Sequence, residues 1–240
     1  MGLPEELSCL LHSAGAALVG YADLRRVQNS ALPVGVSVAI PLPPQILRQL
    51  RTAPTREYYD MYYAWNARLD TIVRTGAQFL RDWGYHAKAC TVDSIHKDEN
   101  ALTPLPHKTV ATRAGLGWIG KNCLLVTPEY GAAVRISTIL TDAPLPCAEP
   151  VTASRCGGCT QCQRHCPAQA IRGTLWQAGM DRAEILDWRK CEQTELKIMQ
   201  ERLGIPEALC GRCFAVCPYT LRYLRRDYPD YYQKEESIVC

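Results

Sequence analysis

The sequence predicts a mixed α/β (α+β) chain in two parts, an α/β domain over residues 1–145 and a ferredoxin-like module over 146–226, with a charged, tyrosine-rich tail at 227–240. Three observations predict it. Upstream of residue 145, stretches of helical apolar spacing alternate with short runs of small and β-branched residues. Downstream stand two related cysteine runs, Cys156-x2-Cys159-x2-Cys162-x3-Cys166-Pro167 and Cys210-x2-Cys213-x3-Cys217-Pro218. Before the first of them, Ala143-Pro144-Leu145-Pro146 and Glu149-Pro150 make a stiff, turn-rich passage of the kind that separates domains.

Taken in order, residues 4–14 read as a short amphipathic helix, and 16–21 and 34–40 as strands. Across 57–83 the spacing of Tyr59, Tyr62, Tyr63, Leu69, Ile72, Val73, Ala77 and Leu80 suits one long helix, stopped by Gly84. A strand is expected at 86–92 and a helix at 108–114, closed by Gly115. Strands at 124–126 and 132–140 are expected to form a hairpin around Glu129-Tyr130-Gly131. Past the cysteine runs, helices are expected at 167–171 and 181–203.

The first run is the spacing with which bacterial ferredoxins hold [4Fe–4S] clusters. A cubane needs four thiolates, and in two-cluster ferredoxins the fourth ligand of each cluster comes from the other motif. Cys156, Cys159 and Cys162 are therefore assigned to one cluster with Cys217 as fourth ligand, and Cys166 joins Cys210 and Cys213 at the other. A ferredoxin would place the remaining ligand at position 207, which is Glu207; the missing thiolate is assigned to Cys191, in Trp188-Arg189-Lys190-Cys191. Pro167 and Pro218 end each run by restricting the cysteine before them to extended backbone. Zinc would want paired CxxC knuckles and does not account for this spacing. A disulfide framework fits worse, since the 13 cysteines are an odd number in a long chain. Cys9, Cys90, Cys123, Cys147 and Cys240 are read as small packed thiols.

Composition narrows the function. A hydrophobic share of 47% across 240 residues is ample for a core. The most apolar stretch, 31–44, is broken by four prolines, so no membrane span is expected. The first residues are acidic where a signal peptide would be basic, and thiolates committed to iron need a reducing interior, so the expected compartment is the cytoplasm. A net charge of +3 from 27 basic and 24 acidic residues does not advertise a nucleic-acid surface.

An electron relay would not need the first 140 residues, so something there is expected to receive electrons. The segment Ala114-Gly115-Leu116-Gly117-Trp118-Ile119-Gly120-Lys121-Asn122 packs three glycines into six residues beside a lysine, which suits close approach of backbone to a bulky ligand. It spells GxGxxG, yet a dinucleotide site needs a strand before the first glycine and a helix after the last, and the order expected here is the reverse.

This segment, followed by Leu124-Leu125-Val126, Glu129-Tyr130-Gly131, Ile139-Leu140-Thr141-Asp142 and the first cysteine run, resembles the epoxyqueuosine reductase family in order and spacing, over roughly residues 30–220. The resemblance implies a nitroreductase-like, cobalamin-binding domain, related to that of reductive dehalogenases, followed by a double [4Fe–4S] module that feeds electrons to the cobalt. It implies cobalamin contacts at Trp118, Lys121, Leu125 and Ile136, and an isolated cysteine after a basic pair as the last cluster ligand, in agreement with Cys191. It further implies a ferredoxin or flavodoxin as electron donor and an electrophilic substrate, the epoxide of a queuosine precursor or a related small molecule. Two departures stand out. Ala101 occupies the place of the family's acidic aspartate and His107 that of a usual glutamate, leaving Asp98, Glu99 and His107 as candidate acids, with His96 and the tyrosines of 58–63 behind them. The family's C-terminal helical-repeat region, which helps grip transfer RNA, has no counterpart here, which weakens the expectation of a transfer-RNA partner. Two other functions fit the residues: an iron–sulfur reductase with a flavin or other cofactor, and a non-catalytic electron-transfer protein.

Overall fold

The computed structural model describes residues 2–229. Residues 230–240, most of the expected tail, and with them Cys240, lie outside the described residues. The described chain divides into two compact units that interleave along the sequence. One comprises the residues up to Pro41, Tyr62–Gly117 and Arg135–Thr152; the other comprises Leu42–Met61, Trp118–Val134 and the described residues from Ala153 onward.

The first unit is built on a four-stranded sheet in the order β1-β2-β6-β3, with β1 Leu18–Asp23, β2 Val34–Pro41, β3 Ala87–Cys90 and β6 Val134–Thr141. β1 and β2 are antiparallel with Leu18 opposite Ala39, and β3 and β6 are antiparallel with Ala87 opposite Thr141. Both faces of β2 are covered, and its alternation shows how. Val36, Val38 and Ile40 enter one core with Leu7 and Leu11 of α1 (Leu3–Ser13) and Leu69, Ile72, Val73 and Leu80 of the long helix α3 (Arg56–Asp82). On the other face Gly35 lies against Val110 of α4 (His107–Arg113) and Leu24, where a Cβ would come within 2.6 Å of Val110. α4 stops at Gly115, whose φ of +72° suits glycine, with Leu116 N–H returning to Ala111 O at 3.1 Å.

The second unit holds α2 (Pro44–Leu50), the two-stranded ribbon β4 (Trp118–Ile119) and β5 (Leu125–Val126), and four helices: α5 (Gln161–Arg164), α6 (Trp188–Leu203), α7 (Arg212–Ala215) and α8 (Pro218–Asp227). Gly131, at φ +60°, lets the chain pass against α8: a Cβ there would lie 2.1 Å from Thr220 N, and the next amide, Ala132 N–H, donates to Thr220 Oγ1 at 3.1 Å. Leu50 packs near Gly211, and Tyr58 meets Phe214 edge-on, which ties 42–61 to the cysteine-bearing part.

Three expectations are corrected. β5 pairs with β4, Trp118 opposite Val126, while β6 leaves for the larger sheet, so the expected hairpin shrinks to the Thr127–Gly131 turn. No helix forms at 167–171, where Ile171 instead bridges Leu186; the short helix α5 lies inside the cysteine run. The first α/β part and the cysteine module do not meet at a single boundary near 145, because the Trp118–Val134 ribbon and turn pack with α8. No described helix is long and apolar enough to cross a membrane.

Candidate metal centres

Four thiols of the second unit surround one cavity. Cys156 and Cys159 come from the loop before α5, Cys162 from α5 itself, and Cys217 caps the N-terminus of α8; all four line a cavity of about 100 Å³. Gly157, at φ +50°, turns the loop so that Cys159 N–H reaches Cys156 O at 3.1 Å. Burial first, and then the neighbouring Cys217, Cys156 and Cys159, push the Cys162 thiol up to about 12. Burial also raises Cys217, against which the backbone N–H groups of Thr220, Tyr219 and Ala132 work by hydrogen-bonding its sulfur. Pro218 at the first helical position leaves that helix end open toward the sulfur.

The second set gathers Cys166, Cys191, Cys210 and Cys213. Cys213 is raised well above the ordinary thiol range by burial, with Cys210 and Cys191 as its nearest charged neighbours, and Cys191 is raised by burial, Glu195, Cys166 and Cys210 among its causes. Cys166 packs with Ala168, Ala170 and Ile171, against which Cys162, Cys191 and Cys213 also lie, so the two sets adjoin. α6 brings Cys191 in on its first turn: Asp187 accepts Lys190 N–H at 3.1 Å and Cys191 N–H bonds Asp187 O at 3.1 Å. At position 207, Glu207 Oε1 accepts from Tyr59 Oη at 3.2 Å.

Cys217 of the second run thus lies with Cys156, Cys159 and Cys162 of the first, and Cys166 of the first run lies with Cys191 and Cys213. A structural zinc would draw four sulfurs to within about 2.3 Å of one centre. Here the first four thiols ring a cavity, and among the described residues no three His, Cys, Asp or Glu side chains gather closely enough for a single ion. That donor set fits a cubane, whose corners lie apart.

The residues expected to touch cobalamin divide between the units. Trp118, 1% exposed, lies edge-on to Tyr219 at 4.9 Å with the Arg155 guanidinium 5.6 Å from its ring, and its Nε1 is buried without an acceptor. Leu125 is buried on β5. Lys121, 7% exposed, donates from Nζ to Gly157 O at 2.8 Å and Cys159 O at 2.9 Å, which pins the loop of the first thiol set. Ile136 belongs to the other unit and lines a cavity there. The glycine segment has a helix, α4, before it and the ribbon strand β4 inside it, the reverse of a dinucleotide site.

That cavity, about 200 Å³, is lined by Tyr62, Asn66, Asp70, Lys97, His107 and Arg135 among others, and a second of about 230 Å³ shares Cys90, Ile95 and His107 with it. Of the candidate acids, Asp98 is occupied locally, its Oδ1 accepting from Asn100 N–H at 2.9 Å and Leu102 N–H at 2.8 Å, and Glu99 is exposed. His107 reaches both cavities, while His96 lines the second and Tyr62 the first. Burial, and then the Arg135 charge, lower the pKa of His107 to about 4, so the ring is neutral near pH 7; its Nδ1 lies 2.9 Å from Thr138 Oγ1. Ala101 has φ +53°, in the loop that walls the second cavity.

Arg135 is the residue the sequence reading missed. A guanidinium inside the otherwise apolar and hydroxyl run Val134–Thr141 was the available signal. Glu195, four residues after Cys191 on α6, was missed for want of any motif.

Residues 155–220 match the family described as the 4Fe-4S double cluster binding domain. An epoxyqueuosine reductase from Synechococcus sp. (strain CC9605) is 34% identical over 201 residues, covering 82% of this chain and 57% of its own length. The fold also matches a solved reductive dehalogenase described with a mechanism for B12-dependent dehalogenation (TM-score 0.70, 19% identity, 98% of this chain and 36% of that one). It matches an epoxyqueuosine reductase solved with a modified transfer-RNA stem loop (TM-score 0.59, 22% identity, 91% of this chain and 65% of that one). This chain spans between 28% and 57% of the length of the curated relatives it matches.

Proposed function

We propose that this chain, a relative of the epoxyqueuosine reductases, is an iron–sulfur reductase that passes single electrons through two [4Fe–4S] clusters to a cobalamin, where an electrophilic substrate is reduced. The observation that carries it is the sorting of eight thiols into two adjoining sets of four, with Cys166 and Cys217 swapped between runs. When bound, the clusters store and relay single electrons and the cobalamin supplies a strongly nucleophilic reduced cobalt.

The chain's own residues supply position and charge. Cys156, Cys159, Cys162 and Cys217 would hold one cluster, and Cys166, Cys191, Cys210 and Cys213 the other. Lys121 fixes the first ligand loop through two carbonyls and keeps a buried cation beside it. Trp118 and Leu125 would contact the cobalamin. The buried indole N–H of Trp118, which has no acceptor, supports a ligand at that segment. His107, half-buried and neutral, would relay the proton through its two ring nitrogens in place of the carboxylate that Ala101 lacks. The electrons would come from a ferredoxin or flavodoxin, and the substrate would be the epoxide of a queuosine precursor or a related small molecule. The compartment would be the reducing cytoplasm.

Anaerobic purification followed by iron, sulfide and cobalt analysis, with electron paramagnetic resonance after cobalamin loading, tests this. Two cubanes' worth of iron and sulfide and a Co(II) signal lacking the lower base are expected. Zinc without sulfide would overturn the whole reading, and flavin bound in place of cobalamin would overturn its acceptor.

A further inference from the structure

We propose that the paired cavities of the first unit form an oxyanion-binding site, centred on Arg135, that takes a carboxylate or phosphate group of the substrate. Arg135 carries five N–H donors and no acceptor. Only a neutral partner is bonded to it: Nη2 donates to Asn66 Oδ1, and the guanidinium lies 4.1 Å from the centre of the Tyr62 ring. Its Nε is buried with no acceptor, and among the described residues no carboxylate lies within ion-pair distance of it. A buried guanidinium N–H without an acceptor is costly, and a guanidinium that lines a cavity is a donor group suited to an oxyanion.

The surroundings have the matching charge. Lys97 lines the same cavity and Lys88 the adjoining one, which has no acidic residue in its lining. The one carboxylate present, Asp70, is engaged by Val92 N–H at 3.1 Å. His107, shared by both cavities, is neutral and, with Nδ1 held by Thr138 Oγ1, leaves Nε2 for a ligand without opposing charge. A volume of about 200 Å³ leaves room for a phosphate or a small carboxylate headgroup. Binding of the anion needs neither iron nor cobalt; only its identification as part of a substrate rests on the reductase function.

Calorimetric titration of the anaerobically isolated protein with inorganic phosphate and, separately, with benzoate tests the site. A second readout is protection of Cys90, which lines both cavities, from alkylation followed by mass spectrometry. One of the two probes should bind and slow Cys90 modification, and which one does assigns the headgroup. Arg135→Gln should weaken that binding roughly 10- to 100-fold, the loss expected for charge-assisted hydrogen bonds, and Arg135→Lys less. Should Arg135→Gln fail to fold, Lys88→Gln with Lys97→Gln, both at exposed positions, must weaken binding and flatten its salt dependence. Failure of both probes to bind, or unchanged affinity in these variants, overturns the site. Full cluster and cobalamin loading without anion binding would sink the pocket alone, whereas anion binding in a protein without iron would sink the reductase function alone.

Discussion

Replacing Lys121 with methionine should lower the reduction potential of the first cluster and leave the second where it was. Lys121 is 7% exposed and its Nζ sits 2.8 and 2.9 Å from two carbonyls of the loop that carries Cys156, Cys159 and Cys162. At an effective dielectric of about 20, unit charges interact by about 4 kcal/mol at 4 Å and about 2 kcal/mol at twice that separation. The cluster's charge lies beyond the carbonyls that Nζ touches, so the smaller figure applies. A reduced cluster carries one more negative charge than an oxidised one, and removing the cation penalises that form. With a tenfold change in a one-electron equilibrium equal to 59 mV and about 1.4 kcal/mol, the loss is roughly 80 mV downward. A redox titration followed by electron paramagnetic resonance on the anaerobic protein reads it, with Lys121→Arg as the control that restores the charge. A shift of under about 20 mV with full iron content, or an equal shift at both clusters, would refute the assignment of this lysine to the first cluster.

Two further predictions bear on the ligands and the cavity. Cys191→Ala should remove close to half of the iron and abolish one of the two cluster signals, and retention of all the iron would exclude Cys191 as a ligand. His107 has a folded pKa of about 4 against 6.5 when exposed, so the unfolded chain takes up the proton first as pH falls. Its contribution is complete above about pH 6.5 and is lost progressively toward pH 4, in total about 3 kcal/mol. Denaturant midpoints of His107→Gln should therefore fall less steeply with acid than those of the unaltered chain, and parallel curves would contradict the half-buried, neutral ring.

Much of this was legible because it is local. Cysteine spacing is a direct statement of ligand geometry, and the proposed ligand Cys191, far from either run, was reached by counting thiolates against two cubanes. The long helix α3 was readable because one apolar stripe persists for 27 residues. What escaped depends on distant partners. α2 opens on Pro43-Pro44, which reads as a loop, yet Pro44 sits at the first helical turn, where a missing N–H costs nothing. The pairing of β5 was misread because two strands flanking a short turn are normally a hairpin. Here β6 finds its neighbours in the larger sheet, a non-local choice that no window reveals. Arg135 was visible only as a charge inside an apolar and hydroxyl run; its significance lies in Asn66, Tyr62 and His107, which only the fold brings beside it.

The two thiol sets are not electrically alike, and if they hold the two proposed clusters the difference sets a direction for electrons. Around the first, Lys121 and Arg155 supply cations, the Cys217 sulfur receives N–H groups from Thr220, Tyr219 and Ala132, and Cys162 receives one from Gln163. Around the second, Arg212 and its backbone N–H act on Cys210, but Glu195 stands against them, a carboxyl raised by burial and hydrogen-bonded to Cys191. Donors and cations stabilise the extra electron, while an acidic neighbour does not. The first cluster should therefore have the higher potential, so electrons that enter at the second pass downhill to the first and onward. The Cys191→Ala protein decides the point, because the signal that disappears belongs to the second cluster. If the lost signal is the one that reduces at the higher potential, the order is reversed and the charges around Cys210 and Cys191 have been weighed wrongly.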